Sequence, residues 1–357
     1  MDNKSSMTAL MSAFARAYHF KTAKKPVFAD SAAEKLMTEN EYEGIEKYIL
    51  SGIDFFAPEL KGKLSDREAL GYIVNTQLAP TPLARAIYCE DGLILIFNQP
   101  IDKFDSYNAA TRRQAPLQGG KPCCGRFPSL AAFYLPPLST ERLKISMKTA
   151  ATTGTEQYVI IGAGYDTFAL REKDFVSEHP VFELDHPLTQ ADKLERIKRS
   201  GFSCNENVKF VPVDLSAEDM HGKLLEAGFD SNKKSFFSWL GVSYYMSEEE
   251  IDKALENISA LCSEGSSLVF DFGDEGLFGS ADRRVKNMLA MAMAAGEPMK
   301  TSFSEERLAR LLEKHGFLIY ELLEPQDIEE RYFYGRENLS PFPHIKIVLA
   351  VYKNKKR

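Results

Sequence analysis

The sequence predicts an α/β fold: a doubly wound, Rossmann-like sheet of seven strands with an N-terminal helical cap. Two observations support this prediction. From residue 157 onward, short apolar runs alternate with amphipathic helical segments, a pattern typical of a parallel sheet covered by helices on both faces. In the N-terminal third, apolar residues recur mainly at helical spacing. We therefore divide the 357 residues into a cap region, 1–150, and an α/β domain, 151–357.

The cap region contains four predicted helices. The first is Met7–Tyr18, where the apolar residues fall on one helical face. Similar patterns predict helices at Ser31–Leu50 and Arg67–Gln77. The Pro-Thr-Pro sequence that follows is expected to end the second of these helices. A new helix is predicted at Leu83–Phe97. Within residues 98–150, the stretch Gln118–Pro128 is dense in turn-forming residues, so we interpret this region as a loop or an insertion.

The strands of the α/β domain are predicted from seven apolar runs, as expected for strands buried on both faces. They are Tyr158–Ile161, Val181–Leu184, Val208–Val213, Ser235–Leu240, Ser266–Phe270, Phe317–Leu323 and Ile345–Tyr352. The clearest helix between them is Ser247–Leu261, which Ser247 and Glu250 open with a capping box. A helix near Ser304–His315 is predicted to separate the last two strands from the others.

Composition and charge narrow the function classes. The chain is 44% hydrophobic and 27% charged, which is ordinary for a globular protein, and its formal net charge is −7. This acidic balance argues against nucleic-acid binding, which requires a surplus of Lys and Arg. Five cysteines without a C-x-x-C pair argue against a structural zinc site and favour free thiols in the cytoplasm. We expect no metal site and no membrane span.

The candidate binding residues follow the predicted strands. The first strand ends in Gly162-Ala163-Gly164, where glycines permit a tight turn and close backbone approach to a ligand. The second ends at Asp185, 21 residues after Gly164, where a carboxylate can accept hydrogen bonds from ribose hydroxyls. Because the carboxyl ends of parallel strands form the ligand-binding edge of such sheets, these residues predict a nucleoside-binding crevice.

The third and fourth strands add to this edge. The third ends at Asp214-Leu215, a carboxylate and an apolar side chain suited to an adenine ring, and the fourth ends at Leu240 before an aromatic-rich turn. A glycine pair alone is shared by nicotinamide, flavin and S-adenosyl-L-methionine sites. Thr167 occupies the position of the third glycine in the dinucleotide fingerprint, which disfavours a pyrophosphate site.

Longer motifs make the resemblance more specific. QYVIIGAGYDTFALR, FELDHPLTQADK, VKFVPVDL and FFSWLGVSYYMSEEEI are similar to segments of the leucine carboxyl methyltransferase-like family, particularly its bacterial small-molecule branch. The resemblance covers residues 157–357 and includes two N-terminal segments, but not residues 98–150. It implies a methyltransferase sheet, S-adenosyl-L-methionine as the cofactor and a small-molecule methyl acceptor.

Carried over by position, the resemblance assigns roles to these strand ends. The Gly162–Gly164 turn, with Ala163 at its centre, would contact the methionine moiety of the cofactor. Asp185 would contact the ribose, and Asp214 with Leu215 would contact the adenine.

The resemblance also assigns an arginine to the methionine carboxylate, a bidentate contact that a guanidinium makes well. Arg85 fits this motif, although it lies 77 residues before Gly162, and Arg142 has the spacing usual in the family but poorer flanking residues. We favour Arg85, with 98–150 as an insertion between the two. Leu240 stands where eukaryotic members carry a glutamate, so that contact is lost or replaced.

The expected reaction is O-methyl transfer to a carboxylate or a hydroxyl. A carboxylate is already ionised near pH 7 and needs no general base, whereas a hydroxyl benefits from one. His186 is the nearest candidate base in sequence, but its place between Asp185 and Pro187 favours the simpler role of bracing the loop. Tyr244 and Tyr245 are candidates to line the acceptor pocket. Arg336 is a candidate partner for an acidic substrate. The alternatives are a nicotinamide-dependent oxidoreductase and a non-catalytic protein that retains the cofactor fold.

Overall fold

A seven-stranded sheet forms the centre of the protein in a computed structural model that describes residues 6–95, 155–215 and 218–353. Its strands are Gln157–Ile161 (β1), Val181–Asp185 (β2), Val208–Pro212 (β3), Ser235–Trp239 (β4), Ser267–Gly273 (β5), Phe317–Leu323 (β6) and Ile345–Tyr352 (β7). The spatial order is β3-β2-β1-β4-β5-β7-β6. Each predicted strand is present, and the predicted α/β class is confirmed.

The direction of the strands defines where a ligand can bind. Strands β1 to β5 are mutually parallel, whereas β7 runs antiparallel to both β5 and β6. The chain moves outward from β1 to β3 and then returns to place β4 on the other side of β1. The topological switch point therefore lies between β1 and β4, and folds of this kind bind their ligands in a crevice at the carboxyl ends of the strands there.

Helices cover the sheet and form the cap. The cap contains Met7–Thr22 (α1), Glu39–Ser51 (α2), Ile53–Phe56 (α3), Asp66–Ile73 (α4), a π-helical turn Val74–Leu78 and Pro80–Leu95 (α5). The α/β domain contains Phe168–Arg171 (α6), Lys173–Glu178 (α7), Pro187–Arg199 (α8), Met220–Glu226 (α9), Glu248–Leu261 (α10), Arg283–Ala294 (α11), Glu305–Lys314 (α12), Pro325–Ile328 (α13) and a second π-helical turn, Glu329–Phe333.

Two predictions about the cap are wrong in detail. The segment Ser31–Leu50 is not one helix, because a short 3₁₀ turn is followed by a new start at Thr38, whose side chain forms a capping box with Glu41. Pro80 also does not interrupt the helical structure of this segment. It stands at the first position of α5, where a missing backbone N–H costs little, so α4, the first π-helical turn and α5 follow each other almost without interruption.

The cap and the sheet share one hydrophobic core. Phe14 of α1 and Tyr88 of α5 are fully buried in the same cluster as Tyr158 of β1 and Phe168 of α6. This packing fixes α1 and α5 against the α/β domain. The predicted insertion 98–150, with Arg142, Cys123 and Cys124, lies outside the described residues. Within the described ranges, no helix is long and apolar enough to cross a membrane.

Candidate functional site

The turn after β1 has the backbone conformation that glycine favours. Gly162 and Gly164 have φ angles of 69° and 47°, in the left-handed region. A Cβ atom on Gly162 would lie 2.4 Å from Val242 Cγ2, and one on Gly164 would lie 3.0 Å from the Ala9 side chain. Both glycines therefore permit close approach of neighbouring chain segments, including the cap helix α1, to the turn.

Asp185 lies directly beside this turn, at the end of β2. Its Oδ2 accepts a hydrogen bond from the Gly164 backbone N–H, and its Oδ1 accepts one from the His186 N–H at 2.6 Å. Burial raises the pKa of the carboxyl group, and the two backbone donors act in the opposite direction. Each carboxylate oxygen has further lone-pair capacity, so Asp185 can still accept from ribose hydroxyls.

Arg85 reaches the carboxyl ends of β4 and β5. Its Nε donates to Asp271 Oδ2 at 2.6 Å, and its Nη2 donates to the hydroxyl of Tyr244. The other Asp271 oxygen accepts from the Gly241 N–H at 2.7 Å. Asp271 is fully buried and the Arg85 side chain is 15% exposed, so the guanidinium is held in place by an ion pair at the edge of the crevice.

Sequence reasoning placed Arg85 near the crevice but missed Asp271. Asp271 lies inside β5, in the apolar run LVFDFG, where it is the only charged residue. An ionisable residue in a fully buried strand requires a partner, and this was the available signal. The partner lies 186 positions away in the chain, so sequence spacing did not reveal it.

The start of α1 also borders the crevice. The Ser6 backbone N–H donates to Thr189 Oγ1 of α8 at 3.2 Å, and the Ser6 hydroxyl donates to Glu297 Oε1 at 3.1 Å. The Thr8 hydroxyl donates to the other oxygen of Glu297. These contacts hold the N-terminal end of α1 over the Gly162–Gly164 turn, between α8 and the segment that follows α11.

The remaining candidate binding residues, Asp214, Leu215 and Leu240, follow β3 and β4. Asp214 and Leu215 follow β3, and both are half-buried. The Asp214 N–H donates to Glu218 Oε2 at 2.8 Å, while the Leu215 side chain packs against the core beside the sheet. Leu240 follows β4, is half-buried, and packs against the core shared by the cap and the sheet. All three lie at carboxyl ends of strands, as predicted.

The candidate catalytic side chains have different environments. His186 is exposed, and its Nδ1 accepts from the Leu188 N–H at 3.3 Å, so the ring caps α8. Tyr244 is buried and bound to Arg85, and its ring packs against that of Tyr245. Burial raises the pKa of Tyr245 to about 12. Tyr244 therefore contacts Arg85 directly, and Tyr245 contacts Tyr244.

Arg336 lies away from the strand ends. Its Nη1 donates to the Lys25 carbonyl oxygen at 2.5 Å, and the side chain lines a separate cavity next to Arg284. Over the described ranges, no group of three or more His, Cys, Asp or Glu side chains is placed to hold a metal ion.

The comparisons with known proteins agree with this geometry. The model of the leucine carboxyl methyltransferase family matches residues 138–259, which include β1 to β4 and the residues that follow these strands, but neither Arg85 nor Asp271. YktD of Bacillus subtilis (strain 168), named as an S-adenosyl-L-methionine-dependent methyltransferase, is 36% identical over 356 residues. That alignment covers 98% of this chain and 99% of YktD, so it includes the cap region.

Other proteins and solved structures match parts of the chain. A protein of Mycolicibacterium paratuberculosis (strain ATCC BAA-968 / K-10) with the same methyltransferase designation is 30% identical over 219 residues, 58% of this chain and 66% of that one. A solved structure of a methyltransferase from Clostridium acetobutylicum aligns with 59% of this chain and 89% of its own, at 12% identity and a TM-score of 0.37.

Proposed function

Since this chain belongs to the leucine carboxyl methyltransferase-like family of S-adenosyl-L-methionine-dependent methyltransferases, we propose that it transfers the methyl group to an oxygen of a small molecule. The comparisons favour neither a nicotinamide-dependent oxidoreductase nor a non-catalytic protein. The observation that carries the proposal is that Arg85, the Gly162–Gly164 turn and Asp185 converge on one crevice, although Arg85 comes from the cap.

The residues of the crevice fit the cofactor. We propose that Asp185 binds the ribose hydroxyls, Asp214 and Leu215 bind the adenine, and the Gly162–Gly164 turn borders the methionine moiety. Arg85 would bind the methionine carboxylate. Its guanidinium has five N–H donors, of which the described contacts to Asp271 and Tyr244 use two. Arg85 therefore retains donors for a carboxylate.

The chemistry that the cofactor supplies when bound is an activated methyl group on a sulfonium. The chain must then hold the acceptor oxygen in line with that group and exclude water. The ion pair with Asp271 keeps Arg85 fixed, and the start of α1 covers the turn after β1. Both arrangements are made before a ligand arrives, which lowers the entropic cost of positioning it.

A carboxylate acceptor fits the side chains of the site better than a hydroxyl acceptor. A tyrosine is already neutral near pH 7, burial raises the pKa of Tyr245 further, to about 12, and the Tyr244 hydroxyl is engaged with Arg85. His186 is an exposed helix cap. None of these three candidates is placed as a general base, and an ionised carboxylate needs none. The buried free thiol of Cys89 is consistent with a reducing compartment, so a cytoplasmic location is part of the proposal.

Isothermal titration calorimetry tests the cofactor site directly. We expect S-adenosyl-L-methionine and S-adenosylhomocysteine to bind, and NADH and NADPH not to bind. Asp185→Ala should weaken S-adenosylhomocysteine binding by about 5- to 150-fold, the effect of losing charged hydrogen bonds worth about 1–3 kcal/mol. Asp174→Ala is the matched control, because Asp174 is an exposed acid on α7, away from the strand ends.

The results separate the cofactor assignment from the residue assignment. Equal affinity in a folded Asp185→Ala variant would remove Asp185 from the site. Binding of a nicotinamide cofactor alone would overturn the proposed reaction. If the adenosyl ligands bind as expected, transfer of a labelled methyl group to small carboxylic acids and to alcohols then tests the acceptor class. A product stable to mild alkali would identify an ether and contradict the carboxylate preference.

A further inference from the structure

Glu297, in the segment that follows α11, places a carboxylate at the start of α1. Its Oε1 accepts a hydrogen bond from the Ser6 hydroxyl at 3.1 Å, and its Oε2 accepts one from the Thr8 hydroxyl. Glu297 is half-buried, and within the described ranges these uncharged hydroxyls are its side-chain partners, with no cationic side chain among them. A carboxylate has about four lone-pair positions, so Glu297 keeps capacity for a further donor.

Glu297 belongs to a ring of contacts around the cofactor crevice. Thr8, which binds Glu297, is followed by Ala9, and a Cβ atom on Gly164 would lie 3.0 Å from the Ala9 side chain. The Gly164 N–H in turn donates to Asp185. On this side, the ring therefore connects Glu297 with the turn after β1 and with the carboxylate that we assign to the ribose.

On the other side, the ring closes through Tyr244. The Lys300 N–H donates to the Tyr244 carbonyl oxygen at 2.7 Å, and the Tyr244 hydroxyl accepts from Arg85. Lys300 follows Glu297 by three residues, so at most about 11 Å of chain separates the two. Glu297 therefore lies between the turn after β1 and the arginine that we assign to the methionine carboxylate.

Tyr245 gives a second indication that Glu297 and Arg85 are near each other. Burial is the main cause of the raised pKa of Tyr245. Arg85 acts to lower this pKa, whereas Glu297 and Asp271 act to raise it. A guanidinium and a carboxylate thus both lie near one tyrosine of the crevice. Such a pair suits a ligand that carries an anionic and a cationic group on the same carbon atom, as the methionine moiety does.

The other side chains near Arg85 do not offer an acceptor for that cationic group. Asp271 is fully buried and already accepts from Arg85 and from the Gly241 N–H. Leu240, which follows β4, carries no charge, and its side chain packs against the core. Glu297 is half-buried, and its two described partners are neutral, so an ammonium group would be its first charged partner there.

We propose that Glu297 binds the ammonium group of the cofactor's methionine moiety. This assignment rests on the proposed function and adds a binding residue to it. The ammonium would donate to the lone pairs that Ser6 and Thr8 leave free, while the neighbouring carboxylate pairs with Arg85. Since Glu297 also holds the start of α1, the cap and the bound cofactor would share one carboxylate.

Three adenosyl thioethers that differ only at the end of the side chain test this assignment. S-adenosylhomocysteine carries both charged groups, the aminopropyl thioether of adenosine carries only the ammonium, and the carboxypropyl thioether carries only the carboxylate. Calorimetry on the full chain gives the Kd of each. We expect Glu297→Gln to weaken the two ammonium-bearing ligands by about tenfold or more, because a charged contact becomes neutral, and to leave the third within about twofold.

Two further variants separate the charge from the support of α1. The amide of Glu297→Gln can still bond both hydroxyls, whereas Thr8→Val removes one hydroxyl and keeps the carboxylate. Thr8→Val should therefore change the affinity for all three ligands by the same factor. Glu264→Gln is the matched control for the loss of one charge, because Glu264 is an exposed acid that precedes β5, at the opposite edge of the sheet. We expect it to change each Kd by less than about twofold.

Two outcomes would overturn the assignment. A loss of equal size for all three ligands in Glu297→Gln would leave Glu297 with a structural role at α1 only. Unchanged affinity for the ammonium-bearing ligands in this variant would remove Glu297 from the site, while binding of S-adenosylhomocysteine to the parent protein would still support the proposed function. If the parent protein does not bind S-adenosylhomocysteine, the proposed function fails, and the role of Glu297 fails with it.

Discussion

Replacing Asp271 by Asn tests whether the ion pair with Arg85 organises the site. Asp271 Oδ2 accepts from Arg85 Nε at 2.6 Å, and Oδ1 accepts from the Gly241 N–H at 2.7 Å. An asparagine can keep only one of these contacts through its oxygen, because its NH2 group would face a donor on the other side. The substitution therefore leaves the guanidinium without its counter-charge.

The expected magnitude follows from burial. The side chain of Asp271 is 0% exposed and that of Arg85 is 15% exposed. Removing one partner of a buried ion pair costs about 3–5 kcal/mol, because the remaining charge stays desolvated. Lys61 and Asp54 form an ion pair of the same length, 2.6 Å, with side chains 63% and 61% exposed. Exposed pairs of this kind contribute about 0–1 kcal/mol.

The assay is urea unfolding of the two variants, Asp271→Asn and Asp54→Asn, with S-adenosylhomocysteine titration under native conditions. We expect a loss of about 3 kcal/mol or more for Asp271→Asn and under about 1 kcal/mol for Asp54→Asn. Cofactor binding should weaken only in the first variant, since Arg85 loses the contact that orients it. Similar, small losses of stability in both variants would refute the reasoning from burial.

Two further predictions concern the turn after β1 and the cap. Gly162→Ala should destabilise the protein by about 2–4 kcal/mol, because φ is positive and the new Cβ would lie 2.4 Å from Val242 Cγ2. Adding Val242→Ala to the same chain should restore part of this stability, measured by urea unfolding. If the double variant is no more stable than Gly162→Ala, the steric explanation is wrong. Burial lowers the pKa of His19 in the folded protein to about 4, from 6.5. As the pH falls, His19 is therefore protonated in the unfolded chain before it is protonated in the folded protein. The free energy of unfolding should fall by roughly 3 kcal/mol from pH 6.5 to pH 4. Unfolding measured across this range should show a flatter profile in His19→Gln, and an equal slope in both proteins would exclude His19 as the cause.

The strands were predictable because their sequence signal is local. Both Phe317–Leu323 and Ile345–Tyr352 have the predicted bounds, and the other five strands differ by one to three residues at an end. The residues at the strand ends, Asp185 among them, followed from the same signal, because parallel strands end at one edge of the sheet. Local periodicity is therefore sufficient for the α/β domain and for the residues attached directly to its strands.

The contacts between distant segments could not be predicted in this way. The cavity beside Arg336 is formed by segments around Gln77, Arg284 and Glu329, which are separated by 45 to 252 positions in the chain. Arg336 was singled out as a candidate for an acidic substrate, but its neighbours in the cavity were not. The π-helical turns were also missed, because a π turn adds one residue to a helix without a distinct compositional signal.

The cap is more than a cover over the crevice, because it helps to set the conformation of the turn after β1. Asp30 of the cap is fully buried and accepts from Arg16 Nε and from Thr167 Oγ1, each at 2.8 Å. Arg16 Nη2 donates to the Tyr165 carbonyl oxygen at 2.8 Å. Although burial pushes the pKa of Asp30 upward, Arg16 and Arg171 hold it below its ordinary value, so the carboxylate stays ionised. Thr167, which occupies the position of the third glycine in the dinucleotide fingerprint, is thus, with Tyr165, a residue through which the cap is bound to the segment that follows β1.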